Sequence, residues 1–373
     1  MKEKITNFCK LFSKADVVYY SLIWLMVLVV LGTISQRYIG LYQAQKMFFS
    51  AWFFMAGFIP LPAAYPVMLI LFLGLAAKLI FASPWKKERL GVNLVHFGAI
   101  MLLFGGFLTA TFSQEGNMVI AEGERSNHIE DYYDLEFAIR DTSAQDYDQM
   151  TVFSQDWLMK KNNLKADSLP FEIKIINFCH NCQIVQRSSE AKENLRGFAK
   201  NFTLQAIARD KEEERNRSGV VFELSKAGNA NGVYAVFEFM PIKQTVLVDE
   251  KVFELEIRHA RRQLPFEIEL IDFEEKTYAA STMAQSYKSV VNLIENGVVQ
   301  RRVIQMNEPL RHRGYTFYQA SFIEDQVETT VLAVVKNAGR SFPYISSIIM
   351  CIGLLVQLLG HVPKLIKYRR QAD

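Results

Sequence analysis

The chain of 373 residues is poor in the residues that mark several protein classes. Its 4 cysteines exclude a disulfide-rich scaffold, and its 19 glycines and 10 prolines exclude a collagen-like chain. Half of the residues are hydrophobic and 22% are charged, which excludes a disordered chain. P-loop, GxGxxG, GxSxG and HExxH motifs are absent. The sequence therefore indicates a folded protein with no mark of a kinase or hydrolase, and we assign no catalytic residue.

The formal net charge of +3 is the sum of two unlike parts. Residues 114–342 hold 28 Lys+Arg and 35 Asp+Glu, a balance of −7. The rest of the chain holds 14 Lys+Arg and 4 Asp+Glu, a balance of +10. The basic part is also the apolar part, so we predict a lipid bilayer as its partner and no nucleic acid.

Four apolar runs are long enough to cross a membrane as helices, at residues 17–34, 65–81, 94–112 and 344–360. The first is too long for a cleaved signal peptide and has no small-residue cleavage site after it. Basic residues crowd three flanks: residues 1–15, residues 84–91 and the tail after His361. The positive-inside rule places all three in the cytoplasm, which predicts cytoplasmic termini and a periplasmic segment 114–342.

The predicted domains are therefore 1–113, 114–342 and 343–373. Between the first two spans, the run from Met47 is aromatic and ends at Pro60 and Pro62. We predict an interfacial helix over residues 47–59, with Trp52 at headgroup depth. The alternative is an extension of the second span that is broken at the prolines.

The segment 114–342 is rich in short runs of Val, Ile and Phe, several of which alternate with polar residues, as strands do. The predicted strands are 171–176, 219–224, 233–239, 245–248, 253–257, 266–271, 299–306 and 329–335, with Asn-Gly hairpin signals at 231–232 and 296–297. Residues 169–178 (LPFEIKIINF) resemble residues 264–273 (LPFEIELIDF). This internal repeat predicts either two related β-subdomains or one sandwich with a pseudo-duplicated half.

His96 lies inside the third apolar run, near its cytoplasmic end. An ionisable side chain within a membrane helix marks a candidate functional site. A neutral imidazole is also the usual axial ligand of haem iron. A hydrogen bond or a packing role between helices explains the same residue equally well, so both interpretations stay open.

Cys179 and Cys182 form a CxxC pair. Attachment of c-type haem requires CxxCH, and here Gln183 follows, so the pair is no attachment site. A local disulfide, a redox pair and a pair without a specific role remain as alternatives.

The stretch Asn307–Phe322 (NEPLRHRGYTFYQASF) is dense in aromatics, and its alternation fits a strand. Together with the PFEI runs, the third span (VHFGAIMLLFGG, residues 95–106) and the layout of four spans, it resembles the ResB-like cytochrome c biogenesis proteins. The resemblance covers nearly the whole chain. Its motif residues, expected to be structural or to face a partner, are Asn307, Pro309, Leu310, Gly314, Tyr315, Phe317, Tyr318 and Gln319.

The resemblance implies System II cytochrome c maturation in the bacterial inner membrane, with this chain as the first half of a split synthase. In that family the protein works with a CcsA/ResC-type partner that carries a tryptophan-rich motif. The pair binds haem b, delivers it outward and supports its attachment to the CxxCH of apocytochrome c. His96 matches the family's membrane histidine, an axial ligand of the haem iron. The 4 tryptophans here are scattered, so the tryptophan-rich motif is expected in the partner.

These implications describe a non-catalytic or co-catalytic subunit of a holocytochrome c synthase. The expected architecture is a multi-pass α-helical membrane protein with four transmembrane helices and a large, mostly-β extracytoplasmic domain. Two other functions remain open. One is a cofactor-free, membrane-anchored periplasmic scaffold or chaperone. The other is a membrane thiol oxidoreductase that uses Cys179 and Cys182.

Overall fold

The structure is a computed structural model that describes residues 12–143, 149–160, 163–187, 194–277, 284–323 and 327–372, with side chains of the last helix up to His361. The chain divides into two compact units, residues 1–114 with 336–373 and residues 115–335. Several side chains used for the topology prediction lie outside the described part, namely Lys2, Lys4, Lys10, Lys364, Lys367, Arg369 and Arg370.

Four long helices lie in the first unit, as described: α1 (Ala15–Ile39), α2 (Ala64–Ala77), α3 (Leu90–Phe112) and α4 (Phe342–Ala372). A π-helical turn extends α2 to Ala82, and a 3₁₀ turn over Lys87–Arg89 precedes α3. All four are long and apolar enough to cross a membrane. With the mostly-β second unit, they confirm the predicted fold class.

A hairpin lies between α1 and α2, where the sequence predicts an interfacial helix. The chain makes one π-helical turn, Gln45–Phe49, and then forms strands β1 (Phe53–Ala56) and β2 (Ile59–Pro62). The two strands pair antiparallel, with Phe53 opposite Pro62 and Ala56 opposite Ile59. The predicted helix over 47–59 is therefore wrong, and the second span does not extend back through this region.

Backbone chemistry explains why this aromatic segment is not a helix. Gly57 has a φ of 66°, which glycine adopts readily in a tight turn. Pro60 and Pro62 lack the N–H that a helix interior requires. Trp24 donates its indole N–H to the carbonyl oxygen of Pro62 at 2.9 Å, and Phe54 is buried in a small core within this unit. The hairpin therefore packs on α1.

The second unit contains sixteen described strands, counting two that reach just beyond its ends. They are β3 (Gln114–Ala121), β4 (Arg125–Asp141), β5 (Gln149–Ser154), β6 (Asn163–Leu164), β7 (Glu172–Cys179), β8 (Cys182–Gln186), β9 (Phe202–Ala206), β10 (Gly219–Ser225), β11 (Gly232–Phe237), β12 (Gln244–Val248), β13 (Lys251–Thr277), β14 (Ala284–Glu295), β15 (Val298–Gln305), β16 (Leu310–His312), β17 (Tyr315–Ile323) and β18 (Thr329–Lys336). Asn296 and Gly297, both at positive φ, turn β14 into β15 as predicted.

These strands form one large sheet, one smaller sheet and a two-stranded ribbon. The large sheet has the order β15-β14-β13-β4-β3-β18-β17-β16, with β12 beside β13 and β5 beside β4. The smaller sheet has the order β11-β10-β7-β6, and β8 pairs with β9. Residues 197–200 and 213–215 form 3₁₀ turns.

The long strands β4 and β13 contribute to two hydrophobic cores. The first core lies between the smaller sheet on one side and β12 with the first half of β13 on the other. Phe137, Phe222 and Phe253 are fully buried in it. The second core is built from β3 and from β13 to β18, with Phe317 and Leu332 fully buried. Each core stabilises its part of this unit by removing apolar side chains from water.

The internal repeat places one copy in each core. Residues 169–178 enter β7, and residues 264–273 lie within β13. Both copies bury alternate residues: Phe171, Ile173 and Ile175 in the first, and Phe266, Ile268 and Leu270 in the second. A β-bulge falls at the matching residue of each copy, Ile176 and Ile271, because the ladder skips these residues. The repeat therefore marks two related β-units.

β13 replaces two shorter predicted strands, 253–257 and 266–271, with one of 27 residues. Pro265 separates the predicted pair, and proline cannot donate to a ladder. The pairing of β13 with β4 jumps from Gln263 to Ile268, so Pro265 lies where that ladder is interrupted. Pairing with β14 begins at Glu267. Just after the proline, β14 becomes a partner of β13, while β13 itself continues as one strand.

Helices α3 and α4 approach each other along a row of glycines on α3. A Cβ atom on Gly91 would lie 2.6 Å from the carbonyl oxygen of Gly353, and one on Gly98 would lie 2.6 Å from Met350 Cγ. A Cβ on Gly105 would overlap the side chain of Phe342. Small residues allow such close approach between membrane helices, where lipid gives little hydrophobic drive for association.

We expect Gly91→Ala to destabilise the helical unit, because the added methyl group meets the backbone of α4. Overpacking of this kind costs about 1–3 kcal/mol of unfolding free energy. Gly106→Ala is the matched control, since nothing lies within 4 Å of a Cβ built there. Alanine favours a helix over glycine by about 1 kcal/mol, so this control should be neutral or stabilised. Thermal unfolding in detergent measures both, and equal midpoints would contradict the close packing.

Candidate functional site

His96 lies on the second turn of α3, and its side chain is half-buried. Its Nδ1 atom is 2.8 Å from the carbonyl oxygen of Val92 on the preceding turn. A carbonyl oxygen only accepts, so Nδ1 carries the proton and donates. The neutral ring then keeps its lone pair on Nε2. Metal-bound histidines commonly have this arrangement, in which the second ring nitrogen donates to a backbone carbonyl.

The face of α3 that carries His96 is turned away from α4. At about 100° per residue, His96 is offset by about 150° from the row of Gly91, Gly98 and Gly105. That row contacts α4. Within the described residues, the hydrogen bond to Val92 is the one that the His96 ring makes. A ligand or a helix from another protein can therefore approach this face without displacing α4.

Asn93, one turn before His96, is fully buried. Its amide nitrogen donates to the carbonyl oxygen of Pro84 at 3.3 Å, and Ser83 Oγ donates to Asn93 Oδ1. These bonds attach the link after α2 to the first turns of α3. Nothing in the sequence pattern singles out Asn93 apart from its polarity within an apolar run. It fixes the start of the helix on which His96 lies.

Cys179 and Cys182 are joined by a disulfide at the junction of β7 and β8. Both residues are buried, in a cluster that includes Leu195, Leu204 and Ala235. Thiol exchange requires access of an attacking thiolate to a sulfur atom. Burial therefore favours a structural disulfide over an exchanging one.

The motif residues of 307–319 divide into turns, core and a polar bridge. Asn307 and Gly314 have φ values of 68° and 82° and occupy turns, and Pro309 precedes β16. Leu310, Tyr315 and Phe317 belong to the second core. Tyr318 is 43% exposed. Most of the motif thus builds the fold, and Tyr318 is its exposed aromatic residue.

Gln319 closes a buried polar network between three strands. Ser289 Oγ donates to Gln319 Oε1 at 2.6 Å, and Gln319 Nε2 donates to Thr330 Oγ1 at 2.9 Å. Ser289 and Thr330 are fully buried. Buried hydroxyl groups require such partners because an unpaired one costs about 1–3 kcal/mol. Gln319 therefore links β14, β17 and β18.

The site residues predicted from the sequence consequently fall into separate places. His96 belongs to the helical unit, whereas the disulfide and the 307–319 motif belong to the β-rich unit. Within the β-rich unit, the disulfide lies beside the first core and the motif in the second. The sequence does not reveal this separation, because strand pairing decides which core each segment joins.

The fold and these residues define a protein with four candidate membrane spans and one large, mostly-β domain. Residues 235–327, from β11 to just beyond β17, match the ResB-like family. The chain is also similar to Protein NrfI of Wolinella succinogenes, with 25% identity over 271 residues. That alignment covers 71% of this chain and 27% of NrfI, so the chain spans about a quarter of that relative's length. The β-rich domain is therefore similar to the ResB-like family in the part that this match covers.

The disulfide leads to a stability prediction for the β-rich domain. Closing a loop of this short length is worth about 2 kcal/mol through chain entropy. We expect Cys179→Ala with Cys182→Ala to lower the unfolding free energy by about this amount. Cys351→Ala, which alters the free, exposed cysteine of α4, is the control. Chemical denaturation measures both, and an unchanged unfolding free energy of the double variant would contradict a structural role for the disulfide.

Phe317 and Tyr318 separate the structural from the partner-facing part of the motif. Phe317 is fully buried, so Phe317→Ala should cost about 3–5 kcal/mol of unfolding free energy. Tyr318→Ala should change stability by less than about 0.5 kcal/mol because the side chain is exposed. We expect the second variant to weaken co-purification with a partner protein. Unchanged co-purification would mean that Tyr318 faces solvent alone.

Proposed function

We propose that this chain is a haem-handling protein of cytochrome c biogenesis. In this proposal it binds haem b through His96 within the membrane, together with a partner membrane protein. The pair delivers haem to the outer side and supports its covalent attachment to the CxxCH of apocytochrome c. The match of residues 235–327 to the ResB-like family and the motif of residues 307–319 support this class of function.

The observation that carries the proposal is the hydrogen bond between His96 Nδ1 and the Val92 carbonyl oxygen, 2.8 Å long. It fixes the tautomer in which Nε2 is free of a proton. A neutral imidazole nitrogen in apolar surroundings is a good ligand for haem iron. The same bond also orients the ring, so the ligand needs no reorganisation on binding.

The orientation of His96 supports a shared site. α4 covers the glycine row of α3, and His96 lies on the other side of that helix. A second axial ligand on the open face would come from a CcsA/ResC-type partner with a tryptophan-rich motif. Such a pair constitutes the two-part synthase of System II, in which this chain is a non-catalytic or co-catalytic subunit.

The charge distribution supports an inside-to-outside direction for haem. Lys86, Lys87 and Arg89 are exposed and lie at the start of α3, about 10 Å along the helix axis from His96. We propose that they pair with the haem propionates at the cytoplasmic face of the inner membrane. Both termini are then cytoplasmic by the positive-inside rule, and the acidic β-rich domain is periplasmic. There it positions apocytochrome c or braces the partner.

Co-purification with a partner tests the ligand role of His96. We expect His96→Ala to lower haem affinity by at least about tenfold, since changes even in the groups that orient a metal ligand cost 10–100-fold. His361→Ala is the matched control. The His361 ring makes the same type of bond, with Nδ1 2.8 Å from the Gln357 carbonyl oxygen, but it lies on α4, one turn beyond the residue that packs against Gly91. The Soret absorbance per protein measures the outcome.

Exogenous imidazole distinguishes a lost ligand from a misfolded protein. It should restore the Soret band of the His96→Ala complex, because the small base occupies the space that the side chain vacates. Full haem in His96→Ala would contradict the ligand role. Wild-type complex without haem would instead favour the cofactor-free scaffold.

A further inference from the structure

A charged groove lies on the β-rich domain, on the sheet face opposite the first core. β4 and β13 alternate, so Phe137 and Leu255 face the core while their neighbours face outward. On the outward face, Glu136 pairs in register with Arg258, Ala138 with Glu256, and Arg140 with Glu254. Ala138 is short and fully buried between longer charged side chains. The result is a depression lined by charged groups.

A cavity of about 430 Å³ lies in this groove, and a smaller one of about 180 Å³ adjoins it. Three cationic side chains and one carboxylate line both, namely Lys243, Arg258, Arg261 and Glu256. Apolar side chains also line each cavity, Met150 and Val152 of β5 in the larger and Phe239 and Met240 in the smaller. The smaller cavity is further lined by Val236, Leu255 and Ile257 of the first core. Cavities of 300–1,000 Å³ suit small organic ligands, and the larger cavity falls in that range.

The cationic side chains of the groove differ in how many of their N–H donors already bond to carboxylates of the protein. Arg258 is 16% exposed and is held by Glu136 and Glu256 at 2.9 and 2.8 Å. Arg261 is 37% exposed, and its bonds both go to one oxygen of Glu130. Lys243 is 47% exposed and lies 3.1 Å from Glu256. A guanidinium has five N–H donors and an ammonium three, so Arg261 and Lys243 keep donors for a ligand.

The charged side chains of the groove shift the pKa values of its titratable groups in both directions. Burial raises the pKa of Glu256, but the hydrogen bond from Lys243 and the charges of Arg258 and Arg261 outweigh it and hold the pKa below its ordinary value. Burial lowers the pKa of His128 and the charge of Arg261 lowers it further, while the charge of Glu130 raises it. The hydrogen bond to Glu238 raises the pKa of His259, which lines the smaller cavity. The cations therefore favour an anion in the larger cavity, which Glu256 and His128 line.

We propose that this groove binds a small amphipathic ligand of porphyrin size through its carboxylate groups, with Lys243 and Arg261 as the donors. Charge-assisted bonds from lysine and arginine are the strong form of carboxylate recognition. The apolar body of the ligand lies against the apolar side chains that line the two cavities. That the natural ligand is haem, bound by its propionates, rests on the proposed function; carboxylate recognition by the groove does not.

Binding of mesoporphyrin IX to the full-length protein in detergent tests the proposal. The probe has two carboxylates and no metal, so it does not report axial ligation. Its dimethyl ester has the same ring without the charges. We expect the ester to bind wild-type protein at least tenfold more weakly than the diacid. Higher salt should weaken the diacid and leave the ester unchanged, because only the diacid pairs with exposed cations.

Matched variants assign the effect to the groove. Lys243→Gln with Arg261→Gln should weaken diacid binding at least tenfold. Arg301→Gln with Arg302→Gln, two exposed arginines of β15 outside the groove, should leave it unchanged. The probe carries no iron, so groove binding and iron ligation by His96 are measured in separate experiments, and failure of the membrane haem site and failure of the groove give different results. Unaltered thermal unfolding shows that the variants are folded.

Three results would overturn the proposal. They are equal binding of diacid and ester, absence of diacid binding to the wild type, and full binding by the groove variant. Lys243→Gln alone and Arg261→Gln alone keep the proposal testable if the double variant fails to fold, because each should weaken diacid binding and full binding by both would overturn it.

Discussion

The backbone contact between α3 and α4 determines what the helical unit can present to other molecules. Because Gly91 and Gly98 leave no room for a Cβ atom, the two helices are held on one fixed face of α3. A bond from Thr109 to Asn337 of 2.9 Å fixes the other end of the pair. His96 then lies on a face of α3 that α4 does not cover. Its availability therefore follows from small residues elsewhere on the helix.

The sequence predicts the helical spans well because hydropathy is a local property: twenty apolar residues have the same consequence wherever they occur. The segment 47–59 fails because aromatic residues suit a helix, a strand or a membrane interface, and only the pairing of Phe53 with Pro62 decides between them. Pro265 misleads for a related reason. It interrupts one ladder, but β14 supplies the continuing partner, which no local signal reveals.

In the β-rich domain, the repeat can be recognised from the sequence, but its place in the fold cannot. The alternation within residues 169–178 and 264–273 predicts which side chains face inward, and those side chains are buried. Which sheet receives each copy depends on long-range pairing and is not predictable from either copy. The bulges at Ile176 and Ile271 provide the structural sign of duplication, because an identical irregularity at equivalent residues does not arise from strand propensity.

The candidate sites differ in the same way. His96 can be recognised from the sequence, because an imidazole within a membrane helix costs free energy and usually marks a functional site. The groove is invisible in sequence, since Lys243 precedes β12, Arg261 belongs to β13, and Met150, which lines the same cavity, belongs to β5. Net charge misleads here: the domain has an excess of acidic residues, yet cross-strand partners neutralise the carboxylates nearest the groove and leave cationic donors exposed. Local pairing, which the fold creates, decides the sign of the potential that a ligand meets.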